Sequence, residues 1–209
     1  MELNLPHCLS LESEQKMADV LIDGLKERIS NAITVNQSIG IILPGSNYSD
    51  LIEAMFVRIY DRPEEAWVYV TVSKPYDTLA KQYEFLPELK NIKFIDCISR
   101  AAGLTKVSPN VTFVESPTML EKLGLEIMNI FKKVDEKTKK YLVLDSLTNL
   151  IIYNDPEIVT EFFYHIINRT RARDIHTISL AIEEEGLEGY LNRLIYLNDK
   201  ILKVRDSFI

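Results

Sequence analysis

The chain has 209 residues, with 24 Lys and Arg against 31 Asp and Glu for a formal charge of −7, and 46% of its residues are apolar. This balance excludes a mainly disordered chain, and a chain of this size buries about 70% of its unfolded surface without needing a disulfide or structural metal. No stretch approaches the roughly 18 to 20 consecutive apolar residues of a membrane span, and Glu2 and Pro6 stand where a leader would be basic and then apolar, so a cytoplasmic protein with no membrane partner is expected. Cys8 and Cys97 form no C-x-x-C spacing and read as packed thiols of a reducing compartment. The acidic balance disfavours a nucleic-acid partner, which would require a local basic patch.

Met17, Val20, Leu21, Leu25 and Ile29 recur at spacings of three and four, predicting an N-terminal amphipathic helix over about 13–29. Ser38 to Leu43 is short, β-branched and closed by Pro44-Gly45, the pattern of a strand buried on both faces; Ser49 is positioned to cap a helix running to about Tyr60. Trp67 to Val72 predicts a strand, Asp77 to Phe85 a helix, and Ile92 to Cys97 and Val111 to Val114 two short strands. Ser116-Pro117 resembles a helix start, with Leu120, Leu123, Ile127, Ile130 and Phe131 as its buried stripe and Lys132-Lys133 at its end. Tyr141 to Leu144 predicts a strand ending at Asp145, with a helix from Ser146 to about Tyr153.

Asp155-Pro156 opens a helix in which Ile158/Val159, Phe162/Phe163 and Ile166/Ile167 repeat every four residues, so this helix is expected to lie on a flat apolar surface. His176 to Ile182, a short helix over Leu187 to Leu194, and Lys200 to Val204 as a hairpin-type edge strand complete the chain. Alternating strands and helices with crossovers of this length predict a three-layer α/β fold with a mostly parallel central sheet. With no repeat or Pro/Gly-rich linker, residues 1–209 are expected to form one domain, its core over about 38–205.

In such a sheet, chemistry belongs just beyond the carboxyl ends of the strands. After the first strand comes Pro44-Gly45-Ser46-Asn47-Tyr48-Ser49 and then a helix, the place of a phosphate loop; after the strand Tyr141 to Leu144 comes Asp145-Ser146. From about Val20 to Val204 the order of elements and these strings resemble the RecA superfamily of P-loop ATPases, most closely its KaiC-like branch. Leu43 to Ser49 is similar to a Walker A loop, G-x-x-x-x-G-K-[ST], with Ile42 at the first glycine, Asn47 at the second, Tyr48 at the lysine and Ser49 at the hydroxyl residue. Tyr141 to Thr148 resembles the Walker B strand with its D-S-L-T continuation, which makes Asp145 the magnesium-side carboxylate. Asn31 to Ser38 occupies the place of the branch's glycine-rich approach without its glycines. Ser73 and Lys74, in Val70 to Pro75, stand where the branch carries paired catalytic glutamates.

These replacements have physical weight. A phosphate loop works because bare backbone lets successive N–H groups close on the phosphates while lysine supplies a cation; Ile42 and Asn47 obstruct the first, and Tyr48, neutral below about pH 10, cannot supply the second. Losing the glutamates removes a general-base contribution of about 10²- to 10⁴-fold. The resemblance therefore implies a RecA-like P-loop NTPase fold with a degenerate Walker A loop, no catalytic residue and no cofactor. In that reading Gly45, Ser46, Asn47, Tyr48, Ser49, Ser73, Lys74, Asp145 and Ser146 mark a decayed nucleotide site. The expected role is regulatory or scaffolding, through a protein partner: further copies of this chain or an active ATPase of the same fold. The alternative is a divergent ATP-binding protein or slow ATPase in which Ser49, Asp145 and Lys74 rebuild a site for ATP and magnesium.

The remaining constellations take plainer readings. His7, His165 and His176 lack metal-ligand spacing. Arg169, Arg171 and Arg173 suit a solvated helix end, though such a cluster can also serve as an arginine finger or a nucleic-acid contact. Glu183-Glu184-Glu185 suits a solvated acidic loop in preference to a cation site. Ser146 lacks the G-x-S-x-G surroundings of a nucleophile, and Pro44-Gly45-Ser46 stands where a receiver-like domain would carry an acidic pair.

Overall fold

The computed structural model describes residues 7–104 and 107–204 of the chain, and side chains from residue 20 onward. Seven strands form one sheet: β1 (Ser38–Leu43), β2 (Ala66–Thr71), β3 (Ile92–Asp96), β4 (Val111–Phe113), β5 (Lys140–Asp145), β6 (Ile175–Ile182) and β7 (Lys200–Lys203). Their order is β4-β3-β2-β5-β6-β1-β7, and every pairing is parallel. The helices are α1 (His7–Val35), α2 (Tyr48–Tyr60), α3 (Tyr76–Gln82), α4 (Leu120–Phe131), α5 (Leu147–Tyr153), α6 (Pro156–Arg171) and α7 (Glu188–Ile195). The three-layer α/β expectation holds, since parallel strands need crossovers and the crossovers coat both faces.

Three local expectations are corrected. Strand β7 is not a hairpin edge: α7 intervenes, and the strand returns parallel to β1, pairing Gly40 with Ile201 and Ile41 with Leu202. Helix α1 is longer than 13–29 at both ends, and its added C-terminal turn buries Ile33 alongside Leu25 and Ile29. Ser116-Pro117 does not open α4. The Ser116 carbonyl and hydroxyl accept from the amides of Met119 and Thr118, closing a separate turn, and the helix begins only at Leu120.

Alternation along the strands sorts the core into two chemically different layers. On the face covered by α1, α2 and α3 lie Trp67, Tyr69, Phe94, Tyr141 and Val143, with Phe56 and Tyr83 among the residues packed over them. Here Phe56 meets the rings of Tyr69 and Tyr83, both at 5.1 Å. On the opposite face Val68, Val70, Ile95, Leu142 and Leu144 meet the aliphatic stripes of α4, α5, α6 and α7. Gly40 serves this second face: a Cβ there would sit 2.5 Å from Ile195, so glycine is what lets α7 lie down on β1.

The amino-terminal edge of the sheet is tied by charge. Asp199 accepts from the amide and hydroxyl of Ser38, at 2.8 and 2.9 Å, and from Arg171 at 2.7 Å. Burial pushes the Asp199 carboxyl up, but these bonds outweigh it and hold it below the ordinary carboxylate range. Arg171 is thus a structural clasp between α6 and the approach to β7, correcting its reading as part of a solvated helix end. A second tie is the buried Arg58, paired with Glu65 at 2.8 Å and lying over the rings of Trp67 and Tyr141.

Candidate functional site

The opposite, carboxyl-terminal edge gathers the residues singled out by the sequence. Strand β1 continues through Leu43, so Ile42 lies inside the ladder, paired with Ala181 and Lys203. Only Pro44 to Asn47 separate β1 from α2, and Gly45–Asn47 form a single 3-10 turn closed by the Asn47 amide on the Pro44 carbonyl. A side chain at Gly45 would meet no atom within 4 Å. Ser46 is exposed, its hydroxyl donating to Asn47 Oδ1 at 3.1 Å.

Tyr48 is the first residue of α2, and its ring turns inward until only 8% of the residue remains exposed. Its hydroxyl donates to Asp145 Oδ2 at 2.6 Å. The same carboxylate oxygen accepts from Tyr69 at 2.6 Å and from Ser73 at 2.9 Å, and the Tyr48 and Ser73 oxygens lie 2.7 Å apart. Asp145 Oδ1, by contrast, is buried with no hydrogen-bond partner. The Lys74 ammonium lies 5.2 Å from the centre of the Tyr48 ring and donates to Gln82 Oε1 at 3.4 Å. Ser49 is exposed, and its carbonyl accepts from the Tyr83 hydroxyl at 3.3 Å; the expected cap role falls instead to the position of Asn47, with no side-chain cap bond.

Burial dominates the ionisation of this cluster. It holds the fully enclosed Asp145 carboxyl above the ordinary range, against the opposing pull of the three hydroxyls and Lys74. Burial, then Asp145, pushes the phenols of Tyr48 and Tyr69 far up, and burial pushes Tyr83 up to about 12. All three therefore remain neutral hydroxyls at physiological pH. The Tyr48 hydroxyl that faces Asp145 is a neutral donor, not a cation.

No family model matches this chain, and no curated protein matches it. Solved structures do. The KaiC-like protein PH0186 of the hyperthermophilic archaeon Pyrococcus horikoshii OT3 aligns with a TM-score of 0.57 at 14% identity, over 83% of this chain and 74% of its own. An uncharacterised Pyrococcus horikoshii protein, PH0321, solved in complex with an unknown peptide, aligns with a TM-score of 0.62 at 14% identity, over 82% and 78%. The fold is KaiC-like.

On this KaiC-like fold the structure brings together Tyr48, Ser73, Lys74 and Asp145, and separates them from Gly45, Ser46 and Ser49, which face solvent. Ser146 belongs to the backbone. It follows a cis Asp145–Ser146 peptide, and its hydroxyl caps α5, accepting from the Asn149 amide and donating to Asn149 Oδ1 at 2.6 Å. Magnesium needs open carboxylate oxygens with room for water beside them. Asp145 presents one oxygen crowded by three hydroxyls and another sealed in the core, so these residues do not fit the ion.

Two residues of this edge escaped the sequence reading. Tyr69 looks like ordinary strand filling, yet a buried phenol needs a hydrogen-bond partner, and its place two residues before Thr71, which pairs with Asp145, was the available signal. Asp96 ends β3 as Asp145 ends β5; Phe94-Ile95-Asp96-Cys97 and Val143-Leu144-Asp145-Ser146 share one pattern. The Glu183-Glu184-Glu185 loop is exposed beyond β6, adding negative charge outside this edge, and among the described residues no group of three or more His, Cys, Asp or Glu is placed to hold a metal ion. No helix among the described residues is long and apolar enough to cross a membrane. His7 and Cys8 lie outside the described side chains; Cys97 is buried, its thiol pushed up to about 12 by burial and by Asp96.

Proposed function

We propose that this chain is a non-catalytic member of the RecA-like P-loop fold, a pseudo-ATPase with a degenerate Walker A loop, which works as a regulatory or scaffolding subunit through protein contacts. The observation that carries this reading is the Tyr48 side chain, lodged in the lysine position with its hydroxyl 2.6 Å from Asp145. An aromatic ring there occupies the space a β- or γ-phosphate would need, and a neutral phenol gives a tetra-anionic ligand no counter-charge. The four-residue connection after β1 offers one 3-10 turn in place of a glycine-built cradle. Ser73 and Lys74, standing in for the paired glutamates, give no base to activate water. With the pocket filled from within, what remains for selection to use is surface. PH0321, of similar fold, was solved with a peptide bound, in keeping with a scaffold that meets polypeptide. Its partners in the cell would be further copies of this chain or an active ATPase of the same fold.

The rival reading, a divergent ATP-binding protein or slow ATPase, draws on one observation: Lys74 stands beside Tyr48 and is near enough to act on the charge of Asp145. Calorimetric titration with ATP and magnesium separates the two. No saturable binding is expected at sub-millimolar nucleotide, and a tight isotherm abolished by Asp145→Asn would overturn the proposal. In the Asn47→Gly/Tyr48→Lys double variant, recovered binding would identify the tyrosine as the plug of an otherwise intact site.

A further inference from the structure

The outer face of α6 carries an order of charge that the fold itself does not use. Positions 157, 161, 165 and 169 of the helix and 173 in the turn just beyond its end recur every four residues and read Glu, Glu, His, Arg, Arg, all exposed. The sequence of signs is antisymmetric about His165: Glu161 and Arg169 lie four residues to either side, Glu157 and Arg173 eight. Within one chain these groups make only weak contacts, Glu161 with His165 at 3.7 Å and Arg173 with the Arg169 carbonyl at 3.3 Å. The regular apolar repeat of this helix is also not fully consumed. Val159, Phe163, Ile166 and Ile167 are buried against the sheet, whereas Ile158 is 57% exposed and Phe162 stays half-buried.

Depressions flank this ridge on both sides. Between α4 and α6 lies a groove of about 590 Å³, with Leu120, Gly124, Phe162 and Ile166 among its lining and Leu125, 56% exposed, at its rim. Between α6 and α7 lies a second of about 350 Å³, beside Tyr164 and Leu197. A ridge bordered by grooves is a shape that can receive another helix.

We infer that this face is a self-association surface, on which two copies of the chain pack their α6 helices antiparallel about a twofold axis passing through His165. In that register Glu161 of each copy opposes Arg169 of the other, because the pair is centred on residue 165. The twofold therefore forms two cross-pairs at once, with Ile158, Phe162 and Leu125 of both copies beside them. A parallel pairing would set like charges against each other and is rejected by the same stripe. The charges fix polarity and register, and the apolar groove supplies the contact area. This deepens the partner-binding reading by naming its surface. It is tested by mass, not by nucleotide, so the failure of one leaves the other standing.

The test is sedimentation velocity of the full chain over a concentration series at low salt, with Glu161→Arg and Arg169→Glu as separate variants. The wild type is expected to dimerise. Each variant alone opposes like charges and should raise the dissociation constant about tenfold or more. Mixed in equal amounts, the two variants present complementary stripes and should recover the dimer as a heterodimer; the double variant Glu161→Arg/Arg169→Glu should recover it as a homodimer. A wild type that stays monomeric throughout, a dimer indifferent to Glu161→Arg, or a mixture that stays monomeric would each overturn the assignment.

Discussion

Asp96 and Asp145 end the two strands that flank β2, both oppose the same residue, Thr71, and neither has any exposed surface. They are nevertheless held in opposite ways. Asp96 uses both oxygens: Oδ1 accepts from the amides of Ile98 and Ser99 at 2.9 and 2.8 Å, Oδ2 from the amide of Tyr76 and the hydroxyl of Ser99, both at 2.7 Å. Asp145 draws all three of its hydroxyl donors to Oδ2 and leaves Oδ1 bare. The first is a backbone organiser, built into the turn that follows its strand. The second is ringed by side-chain hydroxyls, and it keeps an oxygen that the fold does not satisfy. A buried polar group with full partners is fixed by the architecture; Asp145 keeps an orphan atom at the strand end, the edge where ligands bind in this class of sheet.

The same substitution at both positions breaks the symmetry most sharply. In Asp96→Asn the amide nitrogen must face either the two amides on Oδ1 or the donors on Oδ2, so donors meet a donor and charge-assisted bonds are lost. A loss of about 3 kcal/mol or more in urea-unfolding stability is expected. Removing single hydroxyls from the Asp145 ring is milder: Tyr69→Phe and Tyr48→Phe should each cost about 1 kcal/mol in the same measurement, because the carboxylate keeps other donors.

Asp145→Asn should stay within about 1 kcal/mol of wild type at neutral pH, and its value lies in the pH dependence. The folded-state pKa of Asp145 is raised, so its contribution is fully present below the ordinary carboxylate value and is lost as pH climbs through the raised one. The difference in urea midpoint between wild type and Asp145→Asn should therefore shift steadily against wild type from acid toward neutral pH. A pH-independent difference would count against the buried, raised carboxyl. The smallest effect is expected at the rim of the same site: Gly45→Ala should change stability by no more than about 0.5 kcal/mol, since its Cβ meets nothing and the turn is an ordinary 3-10 one.

Much of the scaffold was legible because it is written in periodicity. Strand runs such as Ser38–Leu43 and the stripe of Leu123, Ile127 and Phe131 map directly onto β1 and α4. The strings at Tyr48 and Asp145 stand out in the sequence through their resemblance to a phosphate loop and a Walker B strand, but the resemblance does not say that the two side chains touch. Boundaries at Ser116-Pro117 and the direction of β7 were misread, because a local capping signature and a short apolar run do not specify which backbone they join. Tyr69 and Asp96 were passed over because each looks ordinary until a neighbouring strand in register gives it a partner. The apolar repeat of α6 gave the helix correctly, but not that one edge of it would remain uncovered.

Residue type and spacing along one chain fix the alternation of elements and the burial of the sheet on both faces, which is why both were legible before any fold was known. Tertiary structure alone decided that Tyr48 turns inward onto Asp145, that Tyr69 joins it from β2, and that the charge stripe of α6 faces outward between two grooves. Those facts depend on which strands lie side by side and in what register, and residues 97 positions apart acquire a shared proton-donor geometry only once the sheet has brought them within 2.6 Å.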